Sequence, residues 1–385
     1  MLMQTDALGM IVWFFMLFIF IFLYPRLMLS QMIYKIEQSA RKMENMSRKA
    51  NLLTARKADK NPTKELRSKI DEFTDFFVVE PSSIDPYGLV RKIDQVIRSM
   101  ERRFTEFVSS ITNKKSEKEK QELNYGLRAA IGLRQISKIV RHNVELAKKF
   151  KNLQIAMILQ MQLPIIERIA KSELKGTEAF VNGWPIGDGI GSLAAASLMD
   201  KSREIAEDVV SGETHINGRK CFVLKAKGPA PHLGRIDEAI DKIINKHKIS
   251  RFITIDASQK LEGEKTGSVA EGVGFAMGGI GQREIIENML LPKKKPIDSI
   301  IIKVGMEDAI SPMKKDIYKS VPKVEETVKR AVNRAKKNEK IMIIGVGNSC
   351  GIPDTKKDIA SLKVIIEKLD KKEKEEKKIK KGGWF

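Results

Sequence analysis

Two acids stand where this chain could do chemistry. Asp188 lies in Gly187-Asp188-Gly189-Ile190-Gly191, which runs into the small residues Ser-Leu-Ala-Ala-Ala-Ser. Asp256 closes the β-branched run Phe252-Ile-Thr-Ile-Asp256, and glycines 263, 267, 272, 274, 278, 279 and 281 follow it. An acid–glycine turn entering a helix offers free amides to an anion or sets its carboxylate at the mouth of a site. An acid at a strand tip can bind a metal, hold a ribose or activate water, because open α/β sheets put their sites outside the carboxyl ends of strands. Brought into one cleft, two carboxylates share a proton or recruit a divalent cation. Each also has a plain structural reading: the glycines form a tight turn, and Asp256 caps the next one.

The supporting candidates are weaker motifs. Gly228-Pro-Ala-Pro-His-Leu-Gly-Arg235 is a rigid loop before a helix, where Arg235 would clamp a phosphate or carboxylate, or pair with an acid nearby. Gly345-Val-Gly-Asn348 follows a strand-like run and offers backbone contacts. The expected site therefore has Asp188 and Asp256 as catalytic acids and joint ligands of a divalent metal. Gly187, Gly189, Gly191, Arg235, Gly267, Glu271, Gly272, Gly274 and Asn348 are its expected ligand contacts.

These residues need a sheet to hold them. From residue 176 to 370 short β-branched runs alternate with helical stretches. Strands are expected at Cys221 to Lys225, Phe252 to Asp256, Ile300 to Val304 and Ile341 to Val346, and helices at Gly191 to Val210, Arg235 to Lys248 and Glu325 to Lys337. Continuous apolar strands separated by helices imply a doubly wound, mostly parallel α/β domain, so that the loops after the strands share one edge. Residues 371–385 are expected as a charged tail, a frayed helix or a solvated end.

The first 175 residues read as almost wholly helical. Residues 7–24 carry no charge, and eighteen residues at about 1.5 Å each span a hydrocarbon core, so 1–28 is expected to be a transmembrane anchor contacting the lipid bilayer. Arg26, Lys35, Arg41 and Lys42 follow it, whereas only Asp6 precedes it; the positive-inside rule makes this a single-pass protein of the cell membrane with its body in the cytoplasm. Residues 29–60 keep a seven-residue apolar register (Leu29, Ile36, Met43, Ala50; Met32, Met46, Leu53), expected as a stalk that forms a coiled-coil homo-oligomer or packs on its own domain. A helical domain over 61–175 follows, with Asn61-Pro62 and Asp85-Pro86 as helix starts, a capping box at Ser116 and Glu119, and a buried helix from Leu153 to Ala170.

Composition narrows the partners. A net charge of +21 favours anionic partners: headgroups, phosphorylated ligands or nucleic acid. No aromatic-interleaved basic motif or recognition helix supports nucleic acid specifically, which leaves it a third choice. The only cysteines, Cys221 and Cys350, are far apart and make neither a disulfide framework nor a zinc site.

Taken together, the anchor, the helical middle, the Gly228 to Arg235 loop, the Ile-Asp-Ala stretch and Ile-Gly-Val-Gly-Asn348 resemble an archaeal family of single-span membrane-associated proteins of unknown function. The acid–glycine turn at Asp188 and the strand end at Asp256 more distantly resemble germination proteases and hydrogenase-maturation endopeptidases. Thr266-Gly267 and Glu271-Gly-Val-Gly274 resemble the glycine segment of the former. The chain departs from the maturation enzymes in placing its Gly-Asn strand late and all four histidines before Asp256. The resemblance implies a peptidase-like hydrolase with two aspartates. The alternative is a non-catalytic sensor or scaffold that binds a nucleotide or other anion through loop amides.

Overall fold

The structure, a computed structural model, describes residues 3–79, 81, 88–112, 114–278, 282–290, 292 and 294–382. Helix α1 (Met3–Phe18) passes through a π-helical turn, Ile19–Leu23, into α2 (Tyr24–Ala58). Among the described residues this is the one helix long and apolar enough to cross a membrane. Side chains from Met10 to Tyr24 are exposed to the surroundings, with no protein packed on them.

Farther along, α2 is no free stalk. Ile36, Ala40, Met43 and Ala50 are buried against α5 (Glu117–Phe150) and α6 (Leu153–Asn182), so the seven-residue seam faces the chain's own helices. Arg141 of α5 pairs with Glu37 at 2.8 Å and with Glu44 at 2.6 Å, fixing α2 and α5 in register. Ser116 and Glu119 form the expected capping box at the start of α5. The start of α3 (Lys64–Phe73) falls later than Asn61-Pro62 suggested, because Thr63 accepts the Leu66 amide and caps the helix. Asp85-Pro86 lies outside the described residues. Helix α4 (Leu89–Ile111) lays Phe104 and Val108 on α5. In α6, Leu159, Leu163 and Ala170 are buried but Ile158, Met161 and Ile165 are exposed, so the stretch expected to be buried is amphipathic.

After α6 a 3-10 turn, Gly187–Gly189, opens α7 (Ile190–Ser197). Then come β1 (Arg203–Ala206), β2 (Val209–Ile216), β3 (Arg219–Ala226), α8 (Ile236–Ile244), β4 (Ile249–Gln259), β5 (Val269–Val273), α9 (Gln282–Leu290) and β6 (Ile297–Val304). Short helices α10 (Met306–Ala309) and α11 (Lys315–Tyr318) lead to α12 (Val321–Asn333), β7 (Lys340–Gly345) and α13 (Ile359–Gly382). The seven strands make one sheet in the order β1-β2-β3-β7-β4-β6-β5. Its four central strands, those expected, are parallel to one another; β2 and β1 on one side and β5 on the other run antiparallel.

These antiparallel flanks correct the expectation of a helix from Gly191 to Val210. The helix stops at Ser197, and the β2–β3 hairpin turns on Asn217 and Gly218, both at positive φ (49° and 77°). Asn-Gly is a strong short-range hairpin signal, since this turn needs two left-handed residues. The tail takes the helical form of the two expected: α13 runs through it to Gly382, held to α6 by Lys175–Glu373 and Lys372–Glu178.

Two cores cover the sheet. On one face α7, α12 and α13 pack on Val223, Ile253, Ile255, Ile341 and Ile343; on the other α8 and α9 pack on Phe222, Phe252, Met342 and Ile344. Helix α7 presses closest. A Cβ on Gly191 would lie 2.2 Å from the Val346 carbonyl and 2.3 Å from that of Ile255, and one on Gly345 would lie 2.4 Å from the Gly191 oxygen. The obstructing atoms are backbone, so the strand ends themselves would have to move. Overpacking typically costs about 1–3 kcal/mol, and Gly191→Ala is expected at or above the top of that range. Gly272→Ala, where a Cβ meets nothing within 4 Å, is expected to be near neutral. Urea unfolding of the detergent-solubilised full chain checks both; equal midpoints for Gly191→Ala and the unsubstituted chain would contradict the packing.

Candidate functional site

The central strands end at one edge, and the chain leaves neighbouring strands toward opposite faces. After β7 it continues to α13 on the first core, whereas after the neighbouring β3 it continues to α8 on the second. A crevice opens where such a switch occurs, because the following loops diverge. Asp256 stands on β4, the other neighbour of β7, one residue past its pairing with β7 and three before the strand ends at Gln259, so it is not the strand tip expected; Gly347 and Asn348 stand just beyond β7.

Asp188 is delivered to the same place by the packing of α7. Its Oδ2 accepts the Asn348 amide at 3.0 Å, and a Cβ on Gly347 (φ 110°) would lie 2.1 Å from the Asp188 carbonyl oxygen. Asp188 keeps partial contact with solvent. Burial raises its carboxyl above the ordinary range, opposed by the Asn348 amide. Asp256 is buried, its Oδ1 accepting the Ala257 amide at 2.7 Å and its Oδ2 the Gly278 amide at 3.2 Å. Burial, and after it the charge of Asp188, push Asp256 up to about 7, against the pull of those two amides. The charge of Asp188 thus reaches Asp256.

The glycine segment reaches Asp256 by a detour. Strand β5 runs away from the carboxyl edge, pairing Val269 with Ile302 and Val273 with Asp298. The chain then doubles back over the second core: the Ala276 amide meets the Thr254 and Ser299 hydroxyls, Phe275 and Met277 are buried, and Gly278 arrives at Asp256. Gly278, and not the expected Gly267, Gly272 or Gly274, is thus the glycine at the acid. Gly274 donates to the Ile297 carbonyl and Gly267 to that of Lys303, while Glu271 pairs with Arg334 at 2.9 Å; Glu271 and Gly272 lie in the edge strand, and Gly267 and Gly274 flank it. Gly279 and Gly281 lie outside the described residues.

The other expected ligand contacts are also turned inward. The Gly187 amide donates to Ser311 and the Gly189 amide to Ile186, and the faces of Gly187, Gly189 and Gly191 abut the backbone of Asp308, Asn348 and Val346. They are glycines so that two backbones can touch. Arg235 is buried in a double contact with Asp237 (3.1 and 2.6 Å) and a third with Asp94 of α4 (2.8 Å), which takes up its guanidinium. Asn348 caps its own turn, its Oδ1 accepting the Cys350 amide at 2.9 Å. Among the described residues no group of three or more His, Cys, Asp or Glu side chains could hold a metal ion.

A crevice of about 230 Å³ opens at this sheet edge; neither acid lines it, but Gly278, whose amide donates to Asp256, does. Gly278, Gly345, Val346 and Gly347 line its sheet side, and Ile97 and Met100 of α4 face them. Arg98–Glu238 at 2.9 Å and Asp94–Arg235 hold α4 over the sheet edge, so the helical domain supplies one wall. No sequence motif marked this wall; Arg98 and Asp94 read only as the polar face of a helix.

Family profiles match nearly the whole chain: "Protein of unknown function (DUF1512) N-terminal domain" over residues 10–183 and "Domain of unknown function (DUF1512) C-terminal" over residues 186–353. The chain belongs to the DUF1512 family. The DUF1512 N-terminal match ends at Gly183, the left-handed residue (φ 63°) that terminates α6, and the DUF1512 C-terminal match holds both acids. No curated protein and no solved structure matches the chain.

The raised carboxyl of Asp256 has a stability consequence with a definite sign. Between its unfolded value near 4 and its folded value of about 7, the folded chain holds a proton that the unfolded chain has released. The contribution of Asp256 to stability is therefore most favourable below pH 4, falls as pH rises from 4 through 7 and stays low above it. Asp256→Asn removes the buried charge, worth on the order of 4 kcal/mol at 1.36 kcal/mol per pH unit, and loses one amide acceptor, worth about 1 kcal/mol. The variant is expected to be more stable than the unsubstituted chain at pH 8 and no more stable at pH 4. Thermal unfolding at both pH values checks this, and a gain equal at both would contradict it.

Proposed function

We propose that this is a membrane-anchored hydrolase-like protein, peptidase-like in its chemistry, in which Asp188 and Asp256 activate a water at the carboxyl edge of the sheet. The observation that carries the reading is the coupling of the two acids: Asp188's charge raises Asp256, and burial raises both. Near neutral pH such a pair holds one proton. The ionised member takes a proton from the attacking water as its oxygen bonds to the acyl carbon, and the protonated member gives its proton to the carbonyl oxygen. Collapse of the tetrahedral adduct breaks the acyl bond, the proton taken from water passes to the leaving group, and one hydroxyl of the adduct returns a proton to the pair as it becomes the carbonyl of the product. With no third metal-ligating side chain among the described residues, the shared proton is favoured over a divalent ion in this role.

The anchor supports a place for this reaction. Arg26, Lys35, Arg41 and Lys42 follow the apolar span, which puts the body at the cytoplasmic face of the cell membrane.

The test is cleavage of a mixed peptide library by the full chain in detergent between pH 5 and 8, read by mass spectrometry. Products are expected, with a maximum where the pair holds one proton, and Asp188→Asn and Asp256→Asn are each expected to lower the rate at least a hundredfold while the circular dichroism is kept. Absence of products across the range, or equal rates in the variants, would overturn the proposal.

A further inference from the structure

The crevice at the sheet edge holds a cation that has no salt bridge among the described residues. Arg128 of α5 lines it together with Met277 and Leu233. Its guanidinium lies 4.8 Å from the centre of the Tyr125 ring and 4.9 Å from that of Phe104, and its Nε donates to Asn124 at 2.9 Å. It makes no ion pair among the described residues, although most half-buried arginines of this chain do. Glu101 shares the crevice but is no salt-bridge partner: burial raises its carboxyl, against the pull of Arg128 and Arg235, which weakens its claim on the guanidinium. Two stacked rings and an asparagine hold a planar fork in place, which is how a protein keeps arginine ready for a carboxylate or phosphate.

The walls add the second half of the recognition. Ile97, Met100, Leu233, Ile236 and Met277 give the crevice an apolar lining beside that charge. At about 230 Å³ it is smaller than the roughly 300–1,000 Å³ of sites for drug-sized ligands. The geometry points to Arg128 as the anchor for an oxyanion carried on a small apolar group, as at the free carboxyl end of a peptide with an apolar last residue. This rests on taking the crevice as the substrate side of the acid pair; the binding itself does not require turnover.

Titration calorimetry on the detergent-solubilised full chain tests it with N-acetyl-L-leucine, its neutral analogue N-acetyl-L-leucinamide, and hexyl phosphate. At least one of the two anions is expected to bind ten times or more tighter than the amide. The tighter one names the oxyanion: carboxylate if it is N-acetyl-L-leucine, phosphate if it is hexyl phosphate. Arg128→Gln is expected to erase that difference and Arg128→Lys to restore part of it, since lysine keeps the charge without the fork. Asp256→Asn is expected to keep the anion preference even where hydrolysis is lost, so failure of the hydrolase reading and failure of this one appear in different measurements. Equal binding of anions and amide, or an anion preference undiminished in Arg128→Gln, would overturn the assignment.

Discussion

The structure depends on backbone touching backbone. Where the turn at Gly187–Gly189 and the first residues of α7 cross the ends of β7 and β4, no room exists for a Cβ at Gly191, Gly345 or Gly347. The approach has two results. It gives the parallel strands a tightly seated cover made of small residues, and it leaves Asp188 hydrogen-bonded to the chain beyond β7, where Ser192 also donates to the Gly347 carbonyl. An acid held this way keeps only partial contact with solvent, and its charge reaches Asp256. The burial that raises both carboxyls is thus a by-product of packing that the glycines impose.

Three parts of the chain meet at that edge. The sheet contributes Asp256 and the loop after β7, the returning segment contributes Gly278, and the helical domain contributes the wall of α4 and the ringed cation of α5. The ion pairs of Arg235 and Arg98 hold the two domains in this relation. Because α2 is both the continuation of the apolar span and a member of the bundle with α5 and α6, the wall over the crevice is connected to the anchor by a packed helical route.

Much of this was legible in sequence. The four central strands, their parallel run and the common edge follow from β-branched runs separated by helical stretches, and the two acids were marked by their places next to glycine. The antiparallel flanks were missed, although Asn217-Gly218 signals the hairpin; the alanine-rich run before them reads as one long helix when periodicity alone is followed. Most of the named glycines were assigned the wrong duty, since a glycine that admits a ligand and one that admits another backbone look alike in sequence. Arg235 and Arg128 show the same limit. Which of two arginines is spent on acids, and which is left stacked on rings, depends on residues more than a hundred positions apart in one case and on the neighbouring α4 in the other.

The account turns on whether Asp188 and Asp256 share one electrostatic site. Carboxyl-carbon NMR of aspartate-labelled full-length protein, titrated from pH 3 to 9, measures this directly. One resonance, absent from Asp256→Asn, is expected to titrate near pH 7 and to move part of the way down in Asp188→Asn, since burial remains when the charge is gone. If every aspartate titrates below pH 5, or the Asp256 resonance is unmoved by Asp188→Asn, the two acids are not a pair.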